Sequence, residues 1–341
     1  MTPGRILVTG GLGFIGSHTM VDLIEAGYQV VSLDNEINSS LDVLDGIEKI
    51  TGVRVENIHV DLSHAAPSID AVREKGPFEA IIHFAALKSV AESVQQPTRY
   101  FQNNVGGTLS TIAMMDELKI PHLIFSSSCT VYGAPDKLPV TEYLPFTKAE
   151  NPYGASKQAC EIIYEQYFKS QSAKSGISLR YFNPAGAHAS SLIGESARNI
   201  ATNLVPVITE TAFGLRDKVI VYGTDYATRD GSCIRDYIHV MDLAKAHTLA
   251  LQSLLDVKQP NSYTSYNLGL GQGTTVLEAI HAFEKSTGVK VNYELGPRRP
   301  GDVGAIYADP SLVQQTLGWN PIYDINDIMR TAWAWEKVRV K

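Results

Sequence analysis

Thr9-Gly10-Gly11-Leu12-Gly13-Phe14-Ile15-Gly16-Ser17 comes directly after a short apolar run, Arg5-Ile6-Leu7-Val8, and opens a helical pattern of Phe14, Ile15, His18, Val21, Asp22, Leu23 and Ile24. Strand, glycine loop and helix, in that order, form the setting in which a chain grips a pyrophosphate. Glycines at 10, 13 and 16 allow a tight turn, let backbone N–H groups approach an anion, and start the helix close to the strand with its positive end towards the charge. The Gly-x-x-Gly-x-x-Gly spacing differs from the Gly-x-Gly-x-x-Gly dinucleotide fingerprint, and alone it also fits a plain glycine-rich turn.

The next segment of the chain narrows that choice. Tyr28 to Leu33 reads as a second strand ending at Asp34, about 20 residues past the loop, where an acidic residue accepts hydrogen bonds from an adenosine ribose. An acid there would repel a 2′-phosphate, and no Arg or Lys lies between Asn35 and Leu44. The expected cofactor is NAD rather than NADP.

Working outward, 341 residues are enough for about two domains. Hydrophobic residues make up 44% and charged ones 19%, which suits a folded core and is too apolar for disorder. A net charge of −7 argues against nucleic acid or an anionic membrane as the main partner. Three cysteines, Cys129, Cys160 and Cys233, have no paired spacing, so neither a disulfide framework nor a zinc site is expected. The nine histidines show no ligand spacing, and no metal is assigned. With no signal segment and no apolar run of about 18 residues, the expectation is a cytoplasmic protein.

Further strands are expected at Val55 to Val60, ending at Asp61, and at Ala80 to Phe84, His122 to Phe125 and Ser178 to Phe182, with helices at Leu41 to Thr51, Thr98 to Leu118 and Tyr153 to Ser170. Asp61 either touches the adenine edge or caps the next helix near His64. The Gly106-Gly107 pair costs the helix about 1 kcal/mol per glycine and suggests close packing. Alternating strands and helices predict an α/β fold: a doubly wound parallel (Rossmann) sheet. From Pro184 onward the segments shorten and the loops turn rich in Gly, Pro and Asn. The expected division is a dinucleotide-binding domain over 1–184 and a smaller α/β substrate lobe over 185–341, with a segment near 236–268 packing back onto the first.

Tyr153 and Lys157 are four residues apart, one face of a helix, and Asn151-Pro152 before them reads as a cap and first-turn proline. A phenol has a pKa of about 10, so roughly one in a thousand is ionised at neutral pH. A lysine charge and a helix N-terminus both push that value down. The hydroxyls of Ser126-Ser127-Ser128-Cys129-Thr130-Val131-Tyr132-Gly133 come directly after the fifth strand. They either hydrogen-bond a turn or line the crevice where the cofactor's reactive end would lie.

Gly-Gly-Leu-Gly-Phe-Ile-Gly-Ser, Ser-Ser-Ser-Cys-Thr-Val-Tyr-Gly and Tyr-Gly-Ala-Ser-Lys together resemble the extended short-chain dehydrogenase/reductase family. Leu33-Asp34-Asn35, His83 to Lys88, Arg180 to Pro184, Arg235 to Leu243 and Pro297 to Asp302 resemble its UDP-glucose 4-epimerase branch, over nearly the whole chain. The resemblance implies a tightly held NAD, a UDP-hexose substrate and a homodimer paired through the helices near Thr98–Leu118 and Tyr153–Ser170. It implies that Tyr153 takes the proton of the sugar 4-hydroxyl, that Lys157 holds the nicotinamide ribose and lowers the tyrosine pKa, and that Ser128 hydrogen-bonds the reacting oxygen. Matching cofactor positions are Gly10, Gly13, Gly16, Phe14, Ile15, Asp34, Asn35, Asn38, Ser39, Asp61, Leu62, Phe84, Ala85, Ala86, Lys88, Asn103, Ser126, Tyr153, Lys157 and Tyr181. Matching substrate positions are Lys88, Ser128, Tyr153, Phe182, Asn183, Asn203, Leu204, Tyr222, Arg235, Arg299, Asp302 and Ile306. The forks of Arg235 and Arg299 suit a diphosphate, although either also fits a surface salt bridge. Ile306, intermediate in size at a pocket position, implies poor but non-zero use of UDP-N-acetylhexosamines.

Three rivals share parts of this pattern. A nucleotide-sugar 4,6-dehydratase would place an acidic pair where Cys129-Thr130 stand. A uronic-acid epimerase would need a cation for the sugar carboxylate. A redox-sensing regulator could keep the NAD fold but has little use for Ser128, Tyr153 and Lys157 together.

Overall fold

The computed structural model describes residues 4–196, 201–256, 262–299 and 302–340. Pro300 and Gly301, inside the Pro297 to Asp302 motif, lie outside them. The first part alternates strand and helix: β1 (Arg5–Thr9), α1 (Phe14–Glu25), β2 (Gln29–Leu33), α2 (Asp42–Thr51), β3 (Glu56–Ile58), α3 (Ala65–Arg73), β4 (Ala80–His83), α4 (Val90–Gln95), α5 (Pro97–Glu117), β5 (His122–Ser128), α6 (Pro152–Ser170) and β6 (Ser175–Tyr181). The second part holds β7 (Asn183–Ala185), α7 (Leu204–Phe213), β8 (Val219–Tyr222), β9 (Ile234–Arg235), β10 (Tyr237–His239), α8 (Val240–Asp256), β11 (Ser262–Leu268), β12 (Thr274–Thr275), α9 (Val276–Thr287), β13 (Tyr293–Gly296), β14 (Ala305–Ile306), α10 (Ser311–Leu317) and α11 (Ile325–Arg339).

Seven strands form one parallel sheet in the order β11-β6-β5-β4-β1-β2-β3. The doubly wound α/β expectation is met. Strand order reverses between β1 and β4, which opens a crevice beyond their carboxyl ends. Alternation along β1 feeds both faces: Ile6 and Val8 pack with Leu23, Leu44, Leu243 and Leu251, while Leu7 packs with Met114, Tyr164 and Phe168. Such alternation is what a sheet covered on both sides demands. Beyond β6, Val205, Ile208, Val219, Val221, Ile280, Phe283 and Ile328 form a separate core. The chain also returns to the large sheet, because β11 pairs with β6 from Ser262↔Ser175 to Leu268↔Tyr181 and α8 packs on α1.

Several element ends differ from expectation. The third strand is shorter, and the sixth begins at Ser175, not Ser178. The fifth strand runs on to Ser128, so Ser126, Ser127 and Ser128 are strand residues rather than a loop beyond it. Their pairing with Leu179, Arg180 and Tyr181 of β6 overrides the turn preference of serine. At Gly106 and Gly107 an added Cβ would meet its nearest neighbours at 3.7 Å, ordinary contact. The close packing expected there is not required by this chain.

Candidate active site

The glycine loop closes on itself. Gly10 has φ +69°, and a Cβ there would lie 2.6 Å from the Ala85 nitrogen. One on Gly16 would lie 2.4 Å from the Gly10 carbonyl oxygen. Gly13 is different: a Cβ would meet only that same oxygen, at 3.2 Å, and otherwise open space. Gly13 is also the N-cap of α1 and provides no side-chain bond, so the first-turn N–H groups of Phe14 and Ile15 have no side-chain cap, with open space beside Gly13 and the helix dipole behind them. Opposite, the Asp34 carboxylate is held by Leu12 N (3.1 Å), Glu36 N (2.8 Å) and Ser39 Oγ (2.8 Å). Burial pushes the Asp34 pKa up against those three donors.

The other expected cofactor positions differ in their surroundings. Asp61 accepts from Ser63 N and Ser63 Oγ and from the Asn35 amide, so it turns the chain ahead of α3. It does not cap that helix, whose N-cap is His64. Leu62 is buried in the core, Phe84 packs 4.8 Å from the His247 ring, and Ala85 and Ala86 keep the end of β4 slim. Asn103 is half-buried and donates to Asn104, while Asn38 and Lys88 are exposed. An uncapped helix end over an open glycine, with a pre-held carboxylate facing it, fits the pyrophosphate and ribose of a dinucleotide.

The hydroxyl cluster converges with α6. Asn151 Oδ1 caps that helix through Gly154 N at 2.9 Å, and Pro152 occupies its first turn. Ser128 Oγ accepts from Thr130 N (3.2 Å) and Thr130 Oγ1 (3.1 Å) and lies close enough to the Tyr153 phenol to lower its pKa. Lys157 is 3% exposed. Its ammonium donates to the Ser126 carbonyl at 2.6 Å and lies 4.7 Å from the centre of the Phe125 ring. Desolvation pushes the Tyr153 pKa up to about 12, offset in part by Ser128, and pulls Lys157 down to about 8. Lowering of the tyrosine pKa by Lys157 is therefore not seen in the chain by itself; loss of water around the phenol outweighs the neighbouring charge.

Beneath these groups lies a buried polar network that the sequence did not single out. Arg180 Nε donates to Glu161 Oε1 at 3.0 Å and Nη2 to Oε2 at 2.7 Å. Ser127 donates to the same carboxylate. Arg180 Nη1 reaches the Tyr132 hydroxyl at 2.7 Å, which donates to Asn267 Oδ1 at 2.7 Å. Glu161 is four residues after Lys157, so the face carrying Tyr153 and Lys157 was the available signal. The network ties α6 to β5, β6 and β11 and fixes the helix against the serine strand.

The expected substrate positions form a second cluster. Asp302 accepts bidentately from Arg299, Nε to Oδ2 at 3.1 Å and Nη2 to Oδ1 at 2.9 Å, and its Oδ1 lies 3.6 Å from Arg235 Nη2. Arg235 also donates from Nη1 to the Ile234 and Val303 carbonyls, and Arg299 lies 5.6 Å from the Tyr222 ring centre. Asn203 and Lys88 both donate to Glu195 Oε1, at 2.9 and 3.2 Å, and Leu204 is half-buried behind them. Asn183, half-buried on β7, donates its backbone N–H to the Asp236 carbonyl at 2.9 Å. Ile306 joins the two clusters: it is the register partner of Arg235, and it is buried with Cys129 and Phe182 in one apolar group. Among the described residues no set of three or more His, Cys, Asp or Glu side chains is placed to hold a metal ion, the three cysteines are free and buried, and no helix is long and apolar enough to cross a membrane.

Comparison with known proteins agrees with this geometry. Residues 7–332 match the family model described as GDP-mannose 4,6 dehydratase. A UDP-glucose 4-epimerase of Dictyostelium discoideum is 45% identical over 334 residues, covering 98% of this chain and 96% of the relative. The solved UDP-glucose 4-epimerase of Stenotrophomonas maltophila, with bound NAD and formylated UDP-arabinopyranose, superposes with a TM-score of 0.95 at 42% identity, covering 99% of each chain. That of Bifidobacterium longum, in complex with NAD+ and UDP, gives 0.93 at 42% identity, covering 98% of this chain and 99% of that one.

Proposed function

Because the chain belongs to the UDP-glucose 4-epimerase family of extended short-chain dehydrogenases/reductases, we propose that it interconverts UDP-glucose and UDP-galactose using a resident NAD. The observation that carries this reading is the convergence of Ser128, Tyr153 and Lys157 at the carboxyl end of β5, beside the crevice opened at the β1–β4 reversal. NAD, when bound, supplies a hydride acceptor that later returns the hydride. Its pyrophosphate would lie over Gly13 and the α1 N-terminus, its adenosine ribose against Asp34, and its nicotinamide ribose against Lys157. Tyr153 acts as general base, taking the proton of the sugar 4-hydroxyl and giving it back after the transient 4-keto sugar has turned over in the pocket. Ser128, beside the phenol, steadies the reacting oxygen. Arg235 and Arg299 hold the diphosphate, with Asp302 orienting both forks. A firm grip on UDP with a loose grip on the hexose is what lets the sugar present either face.

The dehydratase reading is disfavoured by Cys129 and Thr130, which sit beside Ser128 where an acidic pair would be needed. Ile306, buried with Phe182 and Cys129, is intermediate in size at a position where bulk would exclude an N-acetyl group, so UDP-N-acetylhexosamines turn over slowly. Exposed Phe101 and Leu109 on α5 and Ile162 on α6 support pairing of two copies through these helices. Free, buried cysteines support a reducing, cytoplasmic setting.

The test is conversion of UDP-galactose to UDP-glucose by the pure protein with no NAD added, monitored by NMR. Net conversion to equilibrium supports both the reaction and the resident cofactor. Silence even after NAD is supplied would overturn the substrate assignment and turn attention to uronic-acid sugars.

A further inference from the structure

His247 stands on α8, apart from the glycine loop and the Ser128–Tyr153–Lys157 trio, and is buried against Phe84, which follows β4, and Tyr181, at the end of β6. Its Nδ1 lies 2.8 Å from the Leu243 carbonyl oxygen, one turn back on the same helix. A carbonyl only accepts, so Nδ1 carries the proton and Nε2 keeps a lone pair. Nε2 meets the Tyr181 hydroxyl; the phenol must therefore donate. The imidazole also packs against Phe84, with ring centres 4.8 Å apart, and Tyr181 is the register partner of Ser128. Burial keeps the ring neutral, its pKa lowered to about 4. With its own proton committed to His247, the Tyr181 oxygen can only accept from any further partner, and the nearby Ser126 side chain lowers its pKa as such a donor would.

We propose that His247 is a positioning residue that fixes the direction of the Tyr181 hydrogen bond, so that Tyr181 offers an acceptor and selects the N–H side of the nicotinamide carboxamide over its C=O side. The proposal rests on the NAD-dependent epimerase reading. His247 touches neither sugar nor cofactor; it acts through Tyr181. Without an acceptor at position 247 the Tyr181 proton is free to turn into the crevice, and the carboxamide loses its preferred orientation.

The test is a double-mutant cycle in the cofactor-loaded protein with His247→Phe, Tyr181→Phe and the pair. His247→Phe keeps aromatic bulk without an acceptor, and its kcat for UDP-galactose is expected to fall roughly five- to tenfold, the worth of one hydrogen bond, with KM almost unchanged. In the Tyr181→Phe background the same substitution should change kcat little. A second readout is the fluorescence of the bound cofactor after chemical reduction with borohydride: both single variants and the pair should share one altered spectrum. A further loss in the Tyr181→Phe background as large as in the parent would assign His247 a packing role and overturn the proposal. So would unchanged kcat and fluorescence in His247→Phe. If His247→Phe fails to fold, His247→Gln, whose carbonyl can reach Tyr181, should restore the parent's values and His247→Asn, whose carbonyl falls short, should not; equal losses in both would overturn it. A parent protein without epimerase activity would sink the functional reading separately, since the fluorescence cycle still reports on His247.

Discussion

Tyr153 and Lys157 stand one turn apart on α6, and burial drives their pKa values past each other, the phenol rising to about 12 while the ammonium falls to about 8. The lysine thus gives up its proton before the tyrosine does, the reverse of what a base helped only by a permanent neighbouring cation would need. On the proposed reading, the cationic nicotinamide ring of a bound oxidised cofactor would supply the missing positive charge.

The ionisation of Tyr153 should therefore depend on cofactor. In the cofactor-free protein the Tyr153 phenolate band, isolated as the ultraviolet difference between parent and Tyr153→Phe, should appear only near pH 12. Loading NAD should move that transition to lower pH. An identical transition in both states would place the activating charge elsewhere.

Tyr153→Phe itself should lower kcat by roughly 10²- to 10⁴-fold, the usual worth of a positioned general base. Bound NAD, measured by release on denaturation, should stay at the parent level. A variant that retains its rate would remove Tyr153 from the chemistry.

Lys157 stores a stability cost. Its folded pKa of about 8 lies below the 10.5 of a free lysine, so between these values the unfolded chain holds a proton that the folded one lacks, and stability rises with pH across that window. At pH 7 the cost is about 3 kcal/mol. Lys157→Met in cofactor-free protein should be more stable than the parent at pH 7 in denaturant titrations, by up to that amount. The advantage should shrink from pH 8 to 10.5.

The glycines divide into two kinds. Gly16→Ala puts a Cβ 2.4 Å from the Gly10 carbonyl, which backbone cannot yield, and should abolish NAD retention. Gly107→Ala meets nothing nearer than 3.7 Å, and it should stabilise α5 by about 0.5–1 kcal/mol. Thermal unfolding and cofactor content of the two variants separate the cases.

Asp236, fully buried, accepts from Leu270 N (2.7 Å), Gly271 N (3.1 Å) and Ala308 N (3.0 Å). Asp236→Ala would strand three N–H groups at about 1–3 kcal/mol each. Loss of the cooperative unfolding transition, or a fall of many degrees in Tm, is expected. A Tm within a few degrees of the parent would mean that water replaces the carboxylate.

The sheet and the Ser128–Tyr153–Lys157 cluster were legible because they rest on local signals: alternation of apolar strands with helices, three glycines in a loop, and a tyrosine and lysine one turn apart. What escaped depends on tertiary context. The Ser126 to Ser128 run reads as a loop because serine favours turns, yet pairing with β6 holds it as strand. The buried pairing of Glu161 with Arg180 is not visible in the sequence, because such residues are rarely buried unless paired and only the fold supplies the pair. Tyr153 was expected to be acidified by its helix and lysine, since sequence displays charges but not the removal of water. His247 gave no sign, because its partner Tyr181 arrives from β6, far away in the chain.

β6 is buried along its whole length because β11, a strand that arrives only after the chain has visited the other core, covers it. A fragment stopped near residue 184 would still hold the glycine loop, Ser128, Tyr153 and Lys157, but it would display β6 as a long naked edge ready to recruit any other strand. The half that carries the glycine loop is thus no portable module. Its edge is covered by the very segment that a cut between the halves would discard, and any scheme to graft or swap the second half must keep residues 262–268 with the first.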